Sequence, residues 1–319
     1  MYYDVFNGDA DGICALHQLR LAEPRPTAEA VTGVKRDIQL LHRIKDVHDG
    51  DITVLDISMK SNLEDLQQLL SQNCRVFYVD HHFAGPIPDS PALISQINPD
   101  PEVCTSLIVD RLLAGKYRPW AVAGAFGDNL HDAAARTASS LALADDQLGL
   151  LRELGELLNY NGYGLSLTDL HFPPQRLYEA IKPYTDPFEF YNRSEVLSRL
   201  RDGFQEDMHR ARSASPLKES QVGRIFKLPA ESWARRVAGV FSNEKAREMP
   251  DLAHALLIEN QDTTYRISVR APLNNRTNAD TLCLAFPTGG GRAAAAGINA
   301  LPPDRLTNFL QSFEQVFSS

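Results

Sequence analysis

Cysteine is scarce in this chain. Its 319 residues hold four, Cys14, Cys74, Cys104 and Cys283, too few and too scattered for a disulfide framework or a zinc knuckle, so they read as small buried apolar residues. Long apolar runs are missing too. None approaches the roughly 18 residues of a membrane span, and no basic segment followed by an apolar stretch opens the sequence, so we expect a cytoplasmic chain with no membrane partner. Positive charge is also short: the formal net charge is −9, which argues against a broad nonspecific nucleic-acid surface or an extended duplex track. The phosphate loop of nucleotide-binding enzymes is absent, since no glycine-lysine pair is followed by serine or threonine, and no GlyXGlyXXGly follows a strand.

The length and an apolar content of 43% exceed what one core usually holds, so two domains are expected. Strand patterns near 2–6, 29–34, 52–57, 75–80 and 92–97 alternate with helical patterns near 11–22, 37–47, 61–72 and 103–115. This rhythm predicts an α/β fold whose N-terminal part is a mostly parallel sheet flanked by helices. Helices are expected over 133–143, 145–158 and 174–181, with a turn at 159–164. A charged helical stretch over 194–212, stopped by Pro216, reads as a connector. Strand patterns return at 223–228, 254–259 and 265–270, and Gly289-Gly290-Gly291 leads into Arg292-Ala293-Ala294-Ala295-Ala296-Gly297, where a helix should begin. The boundaries are a first domain over 1–190, a helical linker over 191–218 and a smaller α/β domain over 219–319. Residues 1–220 carry 21 basic and 32 acidic residues against 11 and 9 in 221–319, so phosphate contacts are sought in the last hundred.

Chemistry-bearing residues collect where strands should end. Asp80-His81-His82 closes the apolar run Cys74–Val79. Asp9 and Asp11, in Asn7-Gly8-Asp9-Ala10-Asp11-Gly12, follow Tyr2–Phe6; Asp56 ends Ile52–Leu55; and Asp128, in Gly127-Asp128-Asn129, ends a further apolar stretch. In open α/β sheets reactive groups meet in the crevice beyond the carboxyl ends of the strands, however far apart they lie in sequence. Mixed carboxylate and imidazole donors suit Mn²⁺, Fe²⁺, Zn²⁺ or Mg²⁺. Five or six such donors exceed the need of one ion, and two ions about 3.5 to 4 Å apart would use them all. Each motif alone has an ordinary reading: Asp9 as the cap of a helix that Gly12 helps to start, Asp128 as a helix-initiating turn, and Asp56 as the cap of a helix near Ser61. The glycine run lets backbone approach an anion closely, with Arg292 as a bidentate donor.

Taken in order, AspAlaAspGly at 9–12, Asp56, AspHisHis at 80–82, GlyXXXAsp ending at 128, Ser268-Val269-Arg270 and GlyGlyGlyArg at 289–292 form one pattern. By it the chain resembles the DHH phosphoesterase superfamily with its DHH-associated C-terminal domain. The resemblance implies a two-domain hydrolase with two divalent ions, usually manganese. Asp9, Asp11, Asp56, His81 and Asp128 would be ligands, with Asp56 bridging. His82 would face the substrate phosphate beside Asp80, and Arg270, Gly289, Gly290, Gly291 and Arg292 would hold nucleotide or phosphate. Two departures stand out. Members commonly carry His four residues before the first aspartate, where this chain has Val5, and Asn7 could partly substitute as a neutral oxygen ligand or water holder. Arg292 replaces a usual His.

The function this implies is hydrolysis of phosphoester bonds in short oligonucleotides or small nucleotides, as in the nano-RNase and RecJ-like branch. A nucleotide-binding or regulatory protein of little turnover, which Val5 motivates, is the alternative from another class, and an inorganic polyphosphate or pyrophosphate hydrolase ranks behind it. The reading also allows a homodimer.

Overall fold

The computed structural model describes residues 1–318, the side chain of Asp145 apart. The chain divides into two compact units, Met1–Gly203 and Phe204–Ser319. Among the described residues no helix is long and apolar enough to cross a membrane.

The first unit is built on β1 (Tyr2–Asn7), α1 (Ala10–Ala22), β2 (Glu29–Gly33), β3 (Asp51–Leu55), α2 (Leu63–Ser71), β4 (Arg75–Asp80) and β5 (Leu93–Ile97). The strands form one sheet in the order β2-β1-β3-β4-β5, and every pairing is parallel. Tyr3, Val5, Ile52, Val54, Val76 and Tyr78 alternate onto one face and pack with Leu66 and Leu69 of α2. Burial on both faces is what parallel strands require, because their crossovers cover both sides. Val5 is wholly buried in this apolar layer.

The remaining helices of this unit are α3 (Thr105–Leu112), α4 (Arg118–Gly127), α5 (His131–Ala138), α6 (Asp145–Gly162), α7 (Pro174–Ile181) and α8 (Pro187–Arg193). The division between units falls within α9 (Glu195–Arg212). Three local expectations fail here. The apolar stretch before Asp128 is α4, not a strand, so Asp128 is the cap of a helix C-terminus. Asn159–Gly162 stay helical as the last turn of α6. The stretch 37–47 holds only a short 3₁₀ turn, Leu40–Ile44.

Two glycines bring α4 to its neighbours. A Cβ on Gly127 would stand 2.2 Å from the Ala10 Cβ, and one on Gly155 would stand 2.0 Å from the Ala123 carbonyl oxygen. Contacts that close exist only without a side chain, and they set the end of α4 against the start of α1.

The second unit contains β6 (Pro216–Glu219), β7 (Gly223–Leu228), α10 (Ser232–Glu248), β8 (Ala253–Glu259), β9 (Tyr265–Arg270), α11 (Ala279–Leu284), β10 (Gly289–Arg292), β11 (Ala295–Leu301) and α12 (Leu306–Phe317). Its sheet runs β10-β11-β9-β8-β7-β6, with only β7 and β8 parallel. Its core includes Leu257, Ile267, Val269, Phe309 and Phe313. The helix expected to open at Arg292 is instead a hairpin: Gly289 to Arg292 pair with Ile298 to Ala295, and Ala295 to Ile298 pair in turn with Arg270 to Ile267. Alanine favours helix, but the preference is a few tenths of a kcal/mol per residue and sheet pairing overrides it.

Gly155→Ala should destabilise the fold by about 1–3 kcal/mol, the usual cost of forcing extra atoms into a packed contact. Thermal denaturation checks this, and an unchanged melting temperature would show that the α4–α6 approach is not a constraint.

Candidate metal centre

The loop from β1 to α1 is very tight. Asp9 is the N-cap of α1, its Oδ1 accepting from the Gly12 amide at 3.1 Å. A Cβ on Gly12 would stand 2.3 Å from the Asn7 carbonyl oxygen, so residue 12 is glycine because backbone crosses there. Asp9 is therefore both a cap and a site residue, and the two readings of AspXAsp coexist. Asp11, in the first turn of α1, accepts the Thr105 amide on Oδ2 at 2.8 Å and the Ser106 amide on Oδ1 at 2.7 Å. These are the free amides at the start of α3, where a helix favours negative charge.

Asp56 follows β3 with φ of +59°. A non-glycine residue in the left-handed region costs of order 1–3 kcal/mol and is characteristic of functional sites. It does not cap the helix near Ser61; its Oδ1 accepts from the Thr105 hydroxyl at 3.3 Å. Asp80, His81 and His82 lie at and just beyond the end of β4. The His81 Nδ1 donates to the Val103 carbonyl at 2.9 Å, which fixes the tautomer and leaves Nε2 as the ligand atom. That Nε2 lies 3.4 Å from Asp56 Oδ1 and 3.7 Å from Asp128 Oδ2. The His82 Nδ1 donates to Asp80 Oδ1 at 2.7 Å, while the buried Asp80 Oδ2 has no partner among the described residues.

The seven residues Asp9, Asp11, Asp56, Asp80, His81, His82 and Asp128 thus share one crevice beyond the sheet. Two overlapping sets have ligand atoms within 4.8 Å of one another: Asp56 with His81 and His82, and Asp11 with His81 and Asp128. A mixed oxygen and imidazole set with one ring tautomer fixed fits a divalent cation.

Lys35, two residues beyond β2, also reaches the crevice. Its Nζ is 2.6 Å from Asp9 Oδ2, 3.0 Å from Asn159 Oδ1 and 3.4 Å from Asp128 Oδ1. The motifs did not point to it. The rule that placed acids at strand ends would have found it had it been applied to bases, because Lys35 follows β2 as Asp56 follows β3. Asn159, Thr105 and Ser106 were also missed and carry no sequence signal of their own. Asn7 is buried beneath the loop; its Nδ2 donates to the Lys35 carbonyl at 3.2 Å, and its Oδ1 has no partner among the described residues.

Crowding shapes the proton affinities. Burial, then Asp11, Asp9, Asp128 and Asp80, push the Asp56 carboxyl well above the usual range. Burial also raises Asp128, against the pull of Lys35, to about 6. For Asp9, burial raises the value but Lys35 and the Gly12 amide outweigh it, leaving the carboxyl below its ordinary range. The hydrogen bond that His82 donates to Asp80 raises its proton affinity despite burial.

In the second unit, Arg292, Ala295, Arg270, His254 and Arg224 are consecutive register partners across β10, β11, β9, β8 and β7. Direct partners in a sheet share a face, so three arginines and a histidine form one row. Arg270 donates to Asn243 Oδ1 at 2.8 Å, and Arg224 donates to His254 Nε2 at 3.0 Å. Burial and the neighbouring Arg224 lower His254 to about 4, keeping it a neutral acceptor. Arg292 is exposed at the sheet edge, and Gly289 to Gly291 form that edge instead of the mouth of a helix.

A parallel sheet with acids and imidazoles beyond its carboxyl edge, followed by a mixed-sheet unit, is a fold this chain shares with solved RecJ structures. No protein-family profile and no curated protein sequence matches the chain, but solved structures do. An exonuclease RecJ bound to manganese is 16% identical, with a TM-score of 0.60, over 99% of this chain and 90% of that one. RecJ of Thermus thermophilus in complex with Mn²⁺ is 17% identical, with a TM-score of 0.62; the match covers 99% of this chain, which spans 52% of that protein. A pGpG-specific phosphodiesterase of Vibrio cholerae is 13% identical, with a TM-score of 0.52, over 99% and 98% of the two chains.

Because Asp56 and Asp128 hold protons to higher pH than ordinary carboxyls, cation binding should displace them. Affinity for Mn²⁺ should therefore rise as pH increases through about 6, where the Asp128 carboxyl gives up its proton. Calorimetric titration in two buffers of different ionisation enthalpy measures the protons released; no release, with affinity flat through that pH, would contradict the crowding.

Proposed function

We propose that this protein is a divalent-metal-dependent phosphoesterase that hydrolyses short oligonucleotides or small nucleotides. The observation that carries the reading is the convergence of Asp11, Asp56, His81, His82 and Asp128, in α1 and at the ends of β3, β4 and α4, on one crevice with two overlapping three-donor sets. Manganese is the ion expected first, and the RecJ structures that share the fold were solved with it. The first unit, approximately residues 1–190, would carry the chemistry. Residues 219–319 would bind substrate, with 191–218 between them.

A bound divalent cation supplies Lewis acidity toward a phosphoryl oxygen and acidifies water. The protein's own residues do the rest. Asp80, held without solvent contact, orients His82 through a 2.7 Å bond and keeps its other nitrogen available to the crevice. With its proton affinity raised, His82 can donate to a phosphate oxygen as charge develops there, where a fixed donor is worth most. Arg270 and Arg292 offer guanidinium groups on one face of the second sheet, the geometry that suits phosphate or a nucleotide. The acidic balance of the chain favours small substrates over long duplexes, and a neighbour named as a pGpG-specific phosphodiesterase supports dinucleotides in the first panel.

The test is product release from dinucleotides, cyclic dinucleotides, 3′-phosphoadenosine 5′-phosphate and pyrophosphate, with Mn²⁺ and with chelator. We expect Mn²⁺-dependent cleavage of at least one nucleotide. Asp56→Ala should abolish it, His82→Ala should lower kcat about 10²–10³-fold as loss of a transition-state donor does, and Arg292→Ala should raise KM with kcat nearly kept. Turnover that survives both chelator and Asp56→Ala would overturn the proposal. Tight nucleotide binding with no turnover would favour the regulatory reading, which the apolar Val5 supports.

A further inference from the structure

The crevice already holds a cation of the protein's own. The Lys35 ammonium has three N–H donors, and three oxygens surround it: Asp9 Oδ2 at 2.6 Å, Asn159 Oδ1 at 3.0 Å and Asp128 Oδ1 at 3.4 Å. These come from the cap of α1, from α6 and from the cap of α4. The backbone of Lys35 is pinned on both sides. Its amide donates to the Gly162 carbonyl at 2.9 Å, and its carbonyl accepts from Asn7 at 3.2 Å. Its Nζ also lies 5.6 Å from the Tyr163 ring centre, so this is a built position.

Asp128 divides its two oxygens. Oδ1 faces Lys35, while Oδ2 faces His81 Nε2 at 3.7 Å within the set that also contains Asp11. On the far side of the lysine, Asp9 uses Oδ1 for the Gly12 amide and Oδ2 for Lys35. The ammonium at 2.6 Å takes one lone pair of that oxygen and repels a cation that approaches the other, while the Gly12 amide already engages Oδ1. No imidazole is offered at this end, since Val5 lies wholly within the apolar core.

We propose that this centre binds one divalent ion, at Asp11, His81 and Asp128 with Asp56 beside them, and that the Lys35 ammonium takes the place of a second ion at Asp9. This rests on the metal-dependent reading above and specifies it. A fixed ammonium neutralises Asp9 and Asp128 and holds them in place, but it cannot acidify water as a metal does. Water activation then belongs to the single ion, and the lysine contributes charge and position. Lys35 is accordingly a positioning residue, and Asp9 is its anchor.

The test counts ions without measuring turnover. Metal-free protein is titrated with Mn²⁺, free Mn²⁺ is followed by electron paramagnetic resonance, and the bound metal is confirmed by elemental analysis. We expect one ion per chain and no exchange-coupled pair. Lys35→Gln should admit a second, at least tenfold weaker ion with a coupled signal, while Lys35→Arg should keep the count at one. Asp9→Asn should change the affinity of the single ion less than about threefold, and Asp11→Asn should weaken it tenfold or more. Two ions per wild-type chain, or a Lys35→Gln protein of native circular dichroism that still binds one, would overturn the role given to Lys35. No ion at all would overturn the metal-dependent reading itself, a distinguishable result.

Discussion

Four carboxylates held almost entirely out of water, with a fifth at their edge, cannot share one crevice without positive charge among them. Asp9, Asp11, Asp56 and Asp80 are buried and Asp128 closes the group. Burial disfavours each charge and every neighbour adds repulsion, as the raised Asp56 and Asp128 carboxyls show. The surrounding structure answers this locally. Helix amides hold Asp11, a lysine holds Asp9, and His82 holds Asp80. What remains unmatched is Asp56, with Asp128 half-matched, and that is where a cation has most to gain.

The fold serves this electrostatic need by geometry. Parallel strands end on one side, so successive crossovers deliver residues of distant sequence position to one edge. Helix α4 is the exception that completes the set. A carboxylate at a helix C-terminus is ordinarily unfavourable because the helix dipole is negative there. Asp128 tolerates this place because Gly127 presses against Ala10 and brings its carboxylate to Lys35 and His81.

Much of this was legible in the sequence. The five strands of the first sheet lie within a residue or two of their expected places, since continuous apolar runs bounded by polar turns are a strong local signal. The acidic and imidazole motifs could be read because they sit at strand ends. What escaped was whatever depended on distant partners. The α4 run looked like a strand until α1 and α6 were beside it. Residues 292–297 have the composition of a helix, and only pairing with β9 makes them a hairpin. Lys35 belonged to no motif, and although its place after a strand could have marked it, its role comes from Asp9, Asn159 and Asp128, whose sequence separation no short motif spans.

That separation bears on how the chain acquires its centre. Residues 9 and 11 are made early, yet Asp11 is gripped by amides at 105 and 106, and the last carboxylate waits for residue 128. Long loops must close before any of these contacts forms, which slows assembly of such a topology. A nascent or truncated chain ending before α4 would possess most of the motif residues while lacking the arrangement, so the centre matures only once the domain has closed around it.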